Sequence, residues 1–115
     1  RVVPVVEREE FVNAGVILFC KKKKFIRMKY RLYPDKILIL KPDAEIEEIC
    51  KNLEAFRIIA EGKKEGGPIA SLEMAERFRW LSAVRSASIQ TSRPHTGLSN
   101  NLEKTFNTLF DEMVG

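Results

Sequence analysis

The chain has 115 residues, of which 44% are hydrophobic and 31% charged, and its formal net charge is +4. This length and composition suit one globular domain with its own core and exclude a chain dominated by disorder. No stretch approaches the roughly 18 apolar residues of a membrane span. We therefore predict a single soluble, cytoplasmic domain over residues 1–115. The sequence opens directly on a strand-like segment, which leaves room for further residues upstream of it.

The first third of the chain has the pattern of β-strands. Residues 1–6 are apolar after Arg1 but include Pro4, which confines the segment to a sheet edge or a strand end because proline has no N–H to donate. The continuous apolar run at 15–20 predicts a central strand that is covered on both faces. Residues 25–32 alternate between apolar and cationic side chains, as a half-buried antiparallel strand does. With the polar turn at 21–24, the two strands form a predicted hairpin.

The middle of the chain has helical periodicity. Residues 33–36 are typical of a turn. A helix is then predicted from Asp43, a plausible N-cap residue, to Gly62, which is expected to end it. A second helix or helical pair is predicted to start near Pro68.

The last third combines one strand and one helix. Residues 86–92 alternate in the manner of a strand, and the residues that follow form a loop with proline and glycine. A final helix is predicted at about 101–114, with Asn100 and Glu103 spaced as a capping box. The order of elements predicts an α+β fold, with an antiparallel sheet of about four strands and three helices packed on one side of it.

Three segments stand out in chain order, namely EFVNAGVILF at 10–19, ERFRWL at 76–81 and QTSRPHTGL at 90–98, with Arg85 and Ser86 between the last two. Together they resemble the signatures of a bacterial family catalogued as domain of unknown function 3037. The resemblance covers nearly the whole chain. It implies a bacterial intracellular protein, often encoded beside HipA-like kinases, and it implies no activity.

The predicted hairpin is the first candidate binding surface. Residues 21–41 hold nine cations and one acid, Asp35, so this stretch carries +8 while the rest of the chain sums to −4. Such asymmetry indicates a polyanionic or acidic partner, and a cationic strand face suits a phosphate backbone. The alternative is a solvated outer face with a charged turn that discourages edge pairing. The candidate residues are Lys21, Lys22, Lys23, Lys24, Arg27, Lys29 and Arg31.

The second candidate is a polar cluster that falls on the family signature. The ligand-binding candidates are Arg85, Ser86, Gln90 and His95, the last being the only histidine of the chain. The wider cluster also contains Ser88, Ser92, Arg93 and Thr96. An arginine fork and a hydroxyl can bind a phosphate or carboxylate, and histidine can act as a general acid or base near neutral pH. The alternative is a solvated strand face and a loop histidine satisfied by backbone groups.

These residues favour a binding protein over an enzyme. One histidine and two cysteines in apolar settings cannot form a closed zinc site, so no metal or cofactor is expected. The leading hypothesis is a non-enzymatic binding or accessory module for a protein partner, such as the HipA-like kinase that the resemblance implies, or for nucleic acid. The alternative is a small enzyme or anionic-ligand-binding protein that uses the polar cluster. A concave pocket around that cluster favours the alternative, whereas a flat polar strand face favours the module.

Overall fold

The computed structural model describes residues 1–83 and 88–115. In these residues the chain is α+β, as predicted, but the expected four strands and three helices are wrong in number. One antiparallel two-stranded sheet is present together with five α-helices. In chain order the elements are β1 Gly15–Cys20, β2 Phe25–Tyr30, α1 Pro34–Leu40, α2 Ile46–Ala60, α3 Gly67–Ala70, α4 Met74–Leu81 and α5 Leu102–Met113.

The predicted first strand is reduced to a short bridge. Fully buried Val2 pairs with Val12 on one side and Ile89 on the other, and a 3-10 helix follows at Val6–Arg8. Pro4 explains the early end of pairing, because it has no N–H to extend a ladder beyond the preceding residue. The bridge nevertheless ties together three segments that are distant in sequence.

The predicted strand at 86–92 is likewise wrong in the part that the structure describes. Only Ile89 forms a bridge, supported by the N–H of Val3, which donates to the carbonyl of Ser88 at 2.7 Å. Residues 84–87 lie outside the described residues. The chain from 91 to 99 has no helix or strand, which agrees with the predicted loop.

The predicted hairpin is confirmed. Its register runs from Gly15 opposite Tyr30 to Cys20 opposite Phe25, and the four residues between the strands form a turn in which Lys24 has a φ of 49°. The prediction that β1 is a central strand is wrong, because β2 is its only strand neighbour in the sheet that the structure describes. The continuous apolar run of β1 therefore does not reflect strand neighbours on both of its edges.

Helices cover both faces of the hairpin, which explains the continuous apolar run of β1 and overturns the prediction that helices pack on one side. On the first face Phe19 stacks on Phe78 of α4, with ring centroids 5.0 Å apart. On the opposite face Phe25 meets Phe106 of α5 edge-on at 6.4 Å. Phe19 and Phe25 point to opposite faces, because Phe19 lies across from Ile26 and successive side chains of a strand alternate.

Two helix starts differ from the predicted ones. Residues 33–36 were predicted as a turn, but Pro34 begins α1, since its fixed φ suits the first helical position, and Ile37 is fully buried. Helix α2 begins at Ile46 without a side-chain cap, so the predicted N-cap at Asp43 is wrong. The predicted stop is confirmed, because Gly62 has a φ of 69° just beyond the helix end.

Two further contacts fix the remaining helices. The side chain of Asn101 accepts a hydrogen bond from the N–H of Lys104 at 3.1 Å, so the cap of α5 lies one residue after the predicted Asn100. Arg77 is buried at 9% exposure and donates to the carbonyl of Leu72 at 2.6 Å. Its guanidinium lies against Gly62, at the end of α2, where a cation is favoured by the helix dipole.

A hydrogen-bonded trio joins β2 to α2. The hydroxyl of Tyr30 donates to Glu54 Oε2 at 2.5 Å, and Arg57 Nε donates to Glu54 Oε1 at 3.0 Å. The bond from Arg57, and then the bond from Tyr30, lowers the pKa of the Glu54 carboxyl to about 2. The same bond to Glu54 raises the pKa of the Tyr30 hydroxyl to about 12.

Gly15→Ala is expected to destabilise the fold, because the hairpin closes tightly at this glycine. An added Cβ would lie 2.8 Å from the backbone oxygen of Lys29 and 3.0 Å from Tyr30 Cβ. We expect the free energy of unfolding in urea to fall by about 1–3 kcal/mol. Gly97→Ala is the control, because nothing lies within 4 Å of its added Cβ, and its effect should stay within about 0.5 kcal/mol. Equal effects would contradict the close approach.

Tyr30→Phe removes one of the two donors to Glu54, so the pKa of Glu54 should rise while staying below its usual value of 4.5. Carboxyl-carbon NMR titration measures this shift. A carboxyl with a lowered pKa stabilises the fold above pH 4.5, and that contribution is lost as the pH falls through 2. The variant should therefore cost about 1 kcal/mol at pH 7 and less near pH 2. The control is Tyr33→Phe, because the Tyr33 hydroxyl lies 3.5 Å from the Gly115 carbonyl and not at Glu54. This variant should leave the pKa of Glu54 unchanged.

Candidate functional site

A groove of about 420 Å³ opens along the edge of β1 that faces away from β2. Strand residues 15–19 line its floor. One wall carries Phe56 of α2 and Phe78 of α4, and the other carries Leu109 and Met113 of α5. The two helical layers that cover the hairpin thus both border the groove, which we call the β1 groove. Its volume lies within the range of ligand-binding pockets.

Backbone groups of β1 face this groove. The N–H of Arg31 donates to the carbonyl of Ala14 at 2.7 Å, which fixes the phase of the hairpin ladder. Because hydrogen-bonded and non-bonded pairs alternate in an antiparallel ladder, the N–H and C=O groups of Gly15, Ile17 and Phe19 point away from β2. Within residues 1–83 and 88–115, no backbone hydrogen bond from another segment reaches these three residues.

The lining of the β1 groove is mainly apolar, with cations and with uncharged polar side chains such as Ser82, Thr91 and Ser92 at one part of it. Among the described residues that line it, Arg1, Arg93 and His95 carry a charged or titratable side chain, and none is an aspartate or a glutamate. Phe11 and Met113 are 45% and 54% exposed there, and they are two of the few large apolar side chains that the described part of the chain exposes. A groove with this lining suits an apolar ligand that carries an anionic group.

The structure brings together part of the predicted polar cluster. Gln90 and His95 both line the β1 groove, where Gln90 is half-buried and His95 exposed. The N–H of Gln90 donates to the carbonyl of Arg1 at 2.9 Å, so this residue is anchored by its backbone. Arg85 and Ser86 lie outside the described residues. The site is concave, yet most of its lining is apolar rather than hydroxylic.

The seven cations of the predicted polyanion surface fall into two groups. Lys21, Lys22, Lys23 and Lys24 are exposed at the hairpin turn. The other three lie on the face that α5 covers. Arg27 donates to Glu103 Oε1 at 3.0 Å, whereas Lys29 Nζ and Arg31 Cζ lie 4.5 and 5.7 Å from the ring centroid of Phe110. The predicted open basic face is therefore partly occupied by intramolecular cation–π and ion-pair contacts.

Other kinds of site have little support in the part of the chain that the structure describes. No group of three or more histidine, cysteine, aspartate or glutamate side chains is placed there to hold a metal ion. Cys20 and Cys50 are free and half-buried. No described helix combines the length and apolarity needed to cross a bilayer.

Sequence reasoning missed the walls of the groove. Helical periodicity alone places Phe78, Leu109 and Met113 on the buried stripes of their helices. Met113 is instead more than half exposed. The one signal in the sequence was β1 itself, because a strand that is apolar on both faces requires more cover than one hairpin partner provides.

A family model described as "Protein of unknown function (DUF3037)" matches residues 1–114. No curated protein and no solved structure matches the chain significantly. The comparison confirms the resemblance found in the three sequence segments, and the family description names no activity.

Two phenylalanine truncations separate the core from the rim of the groove. Phe110 is 1% exposed between α5 and the hairpin, so Phe110→Ala should lower the free energy of unfolding by about 3–5 kcal/mol. Phe11→Ala makes the same chemical change at the exposed rim and should cost less than about 1 kcal/mol. Urea denaturation compares the two. A large cost at Phe11 would show that the rim belongs to the core.

Proposed function

We propose that this chain, which belongs to the DUF3037 family of proteins of unknown function, is a non-enzymatic binding module for a protein partner. One observation carries the proposal. The β1 groove exposes apolar side chains from two helical layers beside arginine and histidine, with no carboxylate among its described lining residues. Its concave shape differs from the flat surface expected for a module, so the partner is received in a groove.

The lining defines the chemistry of the partner. Burial of apolar surface against Phe11, Phe78 and Met113 supplies the driving force for association, at about 25 cal/mol for each Å² removed from water. A carboxylate on the partner is favoured near Arg93, since arginine forms bidentate, charge-assisted hydrogen bonds with carboxylates. The expected partner segment is apolar and carries an aspartate, a glutamate or a terminal carboxylate. The HipA-like kinase that the resemblance implies is a candidate source of this segment.

The alternative is a small enzyme or anionic-ligand-binding protein that uses Arg85, Ser86, Gln90 and His95. It draws support from Gln90 and His95, which line one concave groove. The apolar walls favour the protein partner over a small anion, because phosphate or carboxylate sites gain little from phenylalanine, leucine and methionine. His95→Ala separates the two, since it should abolish an activity based on this histidine and weaken peptide binding only modestly.

A second function, polyanion binding, is supported by the hairpin turn alone. Lys21–Lys24 are four consecutive exposed lysines, and the described ion pairs involve none of them. We propose that this turn adds a weak, salt-dependent attraction for nucleic acid or for an acidic surface. Arg27 contributes less, because Glu103 already neutralises it.

Selection from a phage-displayed library of linear dodecamers tests the module. Bound peptides should share an apolar run and an acidic residue, and their affinity should be measured by calorimetry with synthetic copies. Arg93→Glu should weaken binding by about tenfold or more, because it replaces the carboxylate-binding cation by a like charge. Lys51→Glu is the control, because it changes the net charge by the same amount at an exposed position on α2, and it should have little effect on binding.

The apolar part of the groove has its own matched pair of variants. Met113→Ser should weaken peptide binding, whereas Ile39→Ser, at an 80% exposed position on α1, should not. Failure to select any peptide, or equal effects in both pairs of variants, would refute the proposal.

Fluorescence anisotropy with a 20-nucleotide single-stranded DNA tests the hairpin turn. We expect binding at low salt that falls steeply with added salt, and a smaller salt slope when Lys22 and Lys23 are both changed to glutamine. The control is Lys63→Gln with Lys64→Gln, which removes two exposed lysines elsewhere. Absence of binding at low salt, or an equal loss in the control, would reject this function.

A further inference from the structure

We infer that the β1 groove receives its partner as a β-strand, so that an extended peptide pairs with β1 and completes a three-stranded sheet. The inference rests on the proposed function, which it deepens by naming the conformation and the hydrogen bonds of the partner segment. Strand addition to an exposed sheet edge is a recurring mode of peptide recognition.

The backbone of β1 supplies the first argument. The phase of the hairpin ladder points the backbone N–H and C=O groups of Gly15, Ile17 and Phe19 away from β2. All three residues line the groove. Their N–H and C=O groups repeat every second residue along the strand, which is the spacing that an added strand requires. The groove is therefore lined at its floor by a row of donors and acceptors and not by side chains alone.

The side chains of β1 supply the second argument. An edge strand in a soluble protein is usually protected by a charge, a proline or a bulge. Residues 15–19 contain no charged residue and no proline. Each residue of β1 is only half-buried although all are apolar or glycine. The strand has the composition of a sheet interior, yet one of its edges is open in the described structure.

The helical layers supply the third argument. Phe78 from the first face and Leu109 and Met113 from the opposite face all border the groove. A strand added to β1 would lie between these layers and be covered on both faces. Its side chains would alternate between two apolar walls, so the partner segment must be a continuous apolar run and not an alternating one.

The charge of the groove completes the description of the partner. Among the described residues of its lining, Arg1 and Arg93 are arginines and none is an acid. The occupant is therefore an extended segment of about five consecutive apolar residues, rich in valine and isoleucine, with a carboxylate next to the run. A second copy of this chain fits less well, because its own apolar strand is followed by four lysines.

Amide hydrogen exchange by NMR tests the pairing, with the tightest-binding synthetic dodecamer from the library as the probe. Saturation with this peptide should slow exchange of the Ile17 and Phe19 amides by about tenfold or more, because they gain acceptors. The amides of Val16 and Leu18 are internal controls, since they already face β2 and should change little. Unchanged exchange at Ile17 and Phe19, with intact binding, would overturn the inference.

N-methylation of the peptide provides a second measurement. Methylation of single amides along the apolar run should weaken binding by about tenfold at every second position and much less between them. A uniform effect would contradict strand pairing while leaving a groove-dependent partner, and hence the proposed function, in place. Protection of the same amides in the free protein that grows with its concentration would identify a second copy as the occupant. Failure to obtain any groove-dependent peptide would refute both proposals.

Discussion

A hairpin of two strands is marginally stable in water, so the fold depends on the helices that cover both faces of this one. The Phe19–Phe78 stack holds the first face, and the Phe25–Phe106 contact holds the opposite face. The trio of Tyr30, Glu54 and Arg57 then fixes α2 along β2 with directional bonds. Covering of both faces allows β1 to be apolar throughout, and it also determines where the helices can extend.

The groove is a consequence of the same arrangement. The helical layers formed by α4 and by α5 both border the groove beside β1. In the described structure β1 is an edge strand, because no further strand pairs with it there. The space that remains is bordered by side chains of both helical layers and by the backbone of β1. The candidate site thus lies at the edge of β1 that no strand pairs with in the described structure.

Several elements could be predicted because their signals are local. The alternation of β2, the apolar run of β1 and the glycine at position 62 each fix a conformation within a few residues. The other features depend on distant contacts. Pro34 suits both a turn and a helix start. In the structure it starts α1, which buries Ile37 fully in the core.

The site was predictable only in part for the same reason. A continuous apolar strand indicates that both faces are covered, but it cannot say whether a neighbouring strand also pairs with each edge. The cations of β2 looked solvated because nothing local reveals the ring of Phe110 beneath Lys29. The signature predicted Gln90 and His95 as members of one cluster with Arg85 and Ser86, whereas the apolar residues beside them belong to β1 and to helices that are distant in sequence.

The ion pair between Arg27 and Glu103 joins residues that are 76 positions apart. At a synthesis rate of about 5–20 residues per second, roughly 4 to 15 s therefore pass between the synthesis of Arg27 and that of Glu103. Helix α5 cannot dock on β2 before then. For that time the nascent hairpin exposes the face that α5 later covers, which carries Phe25 beside Arg27, Lys29 and Arg31, as well as the open edge of β1. Four lysines at its tip give this segment a local positive charge, and charges beside an apolar strand oppose its aggregation before α5 docks.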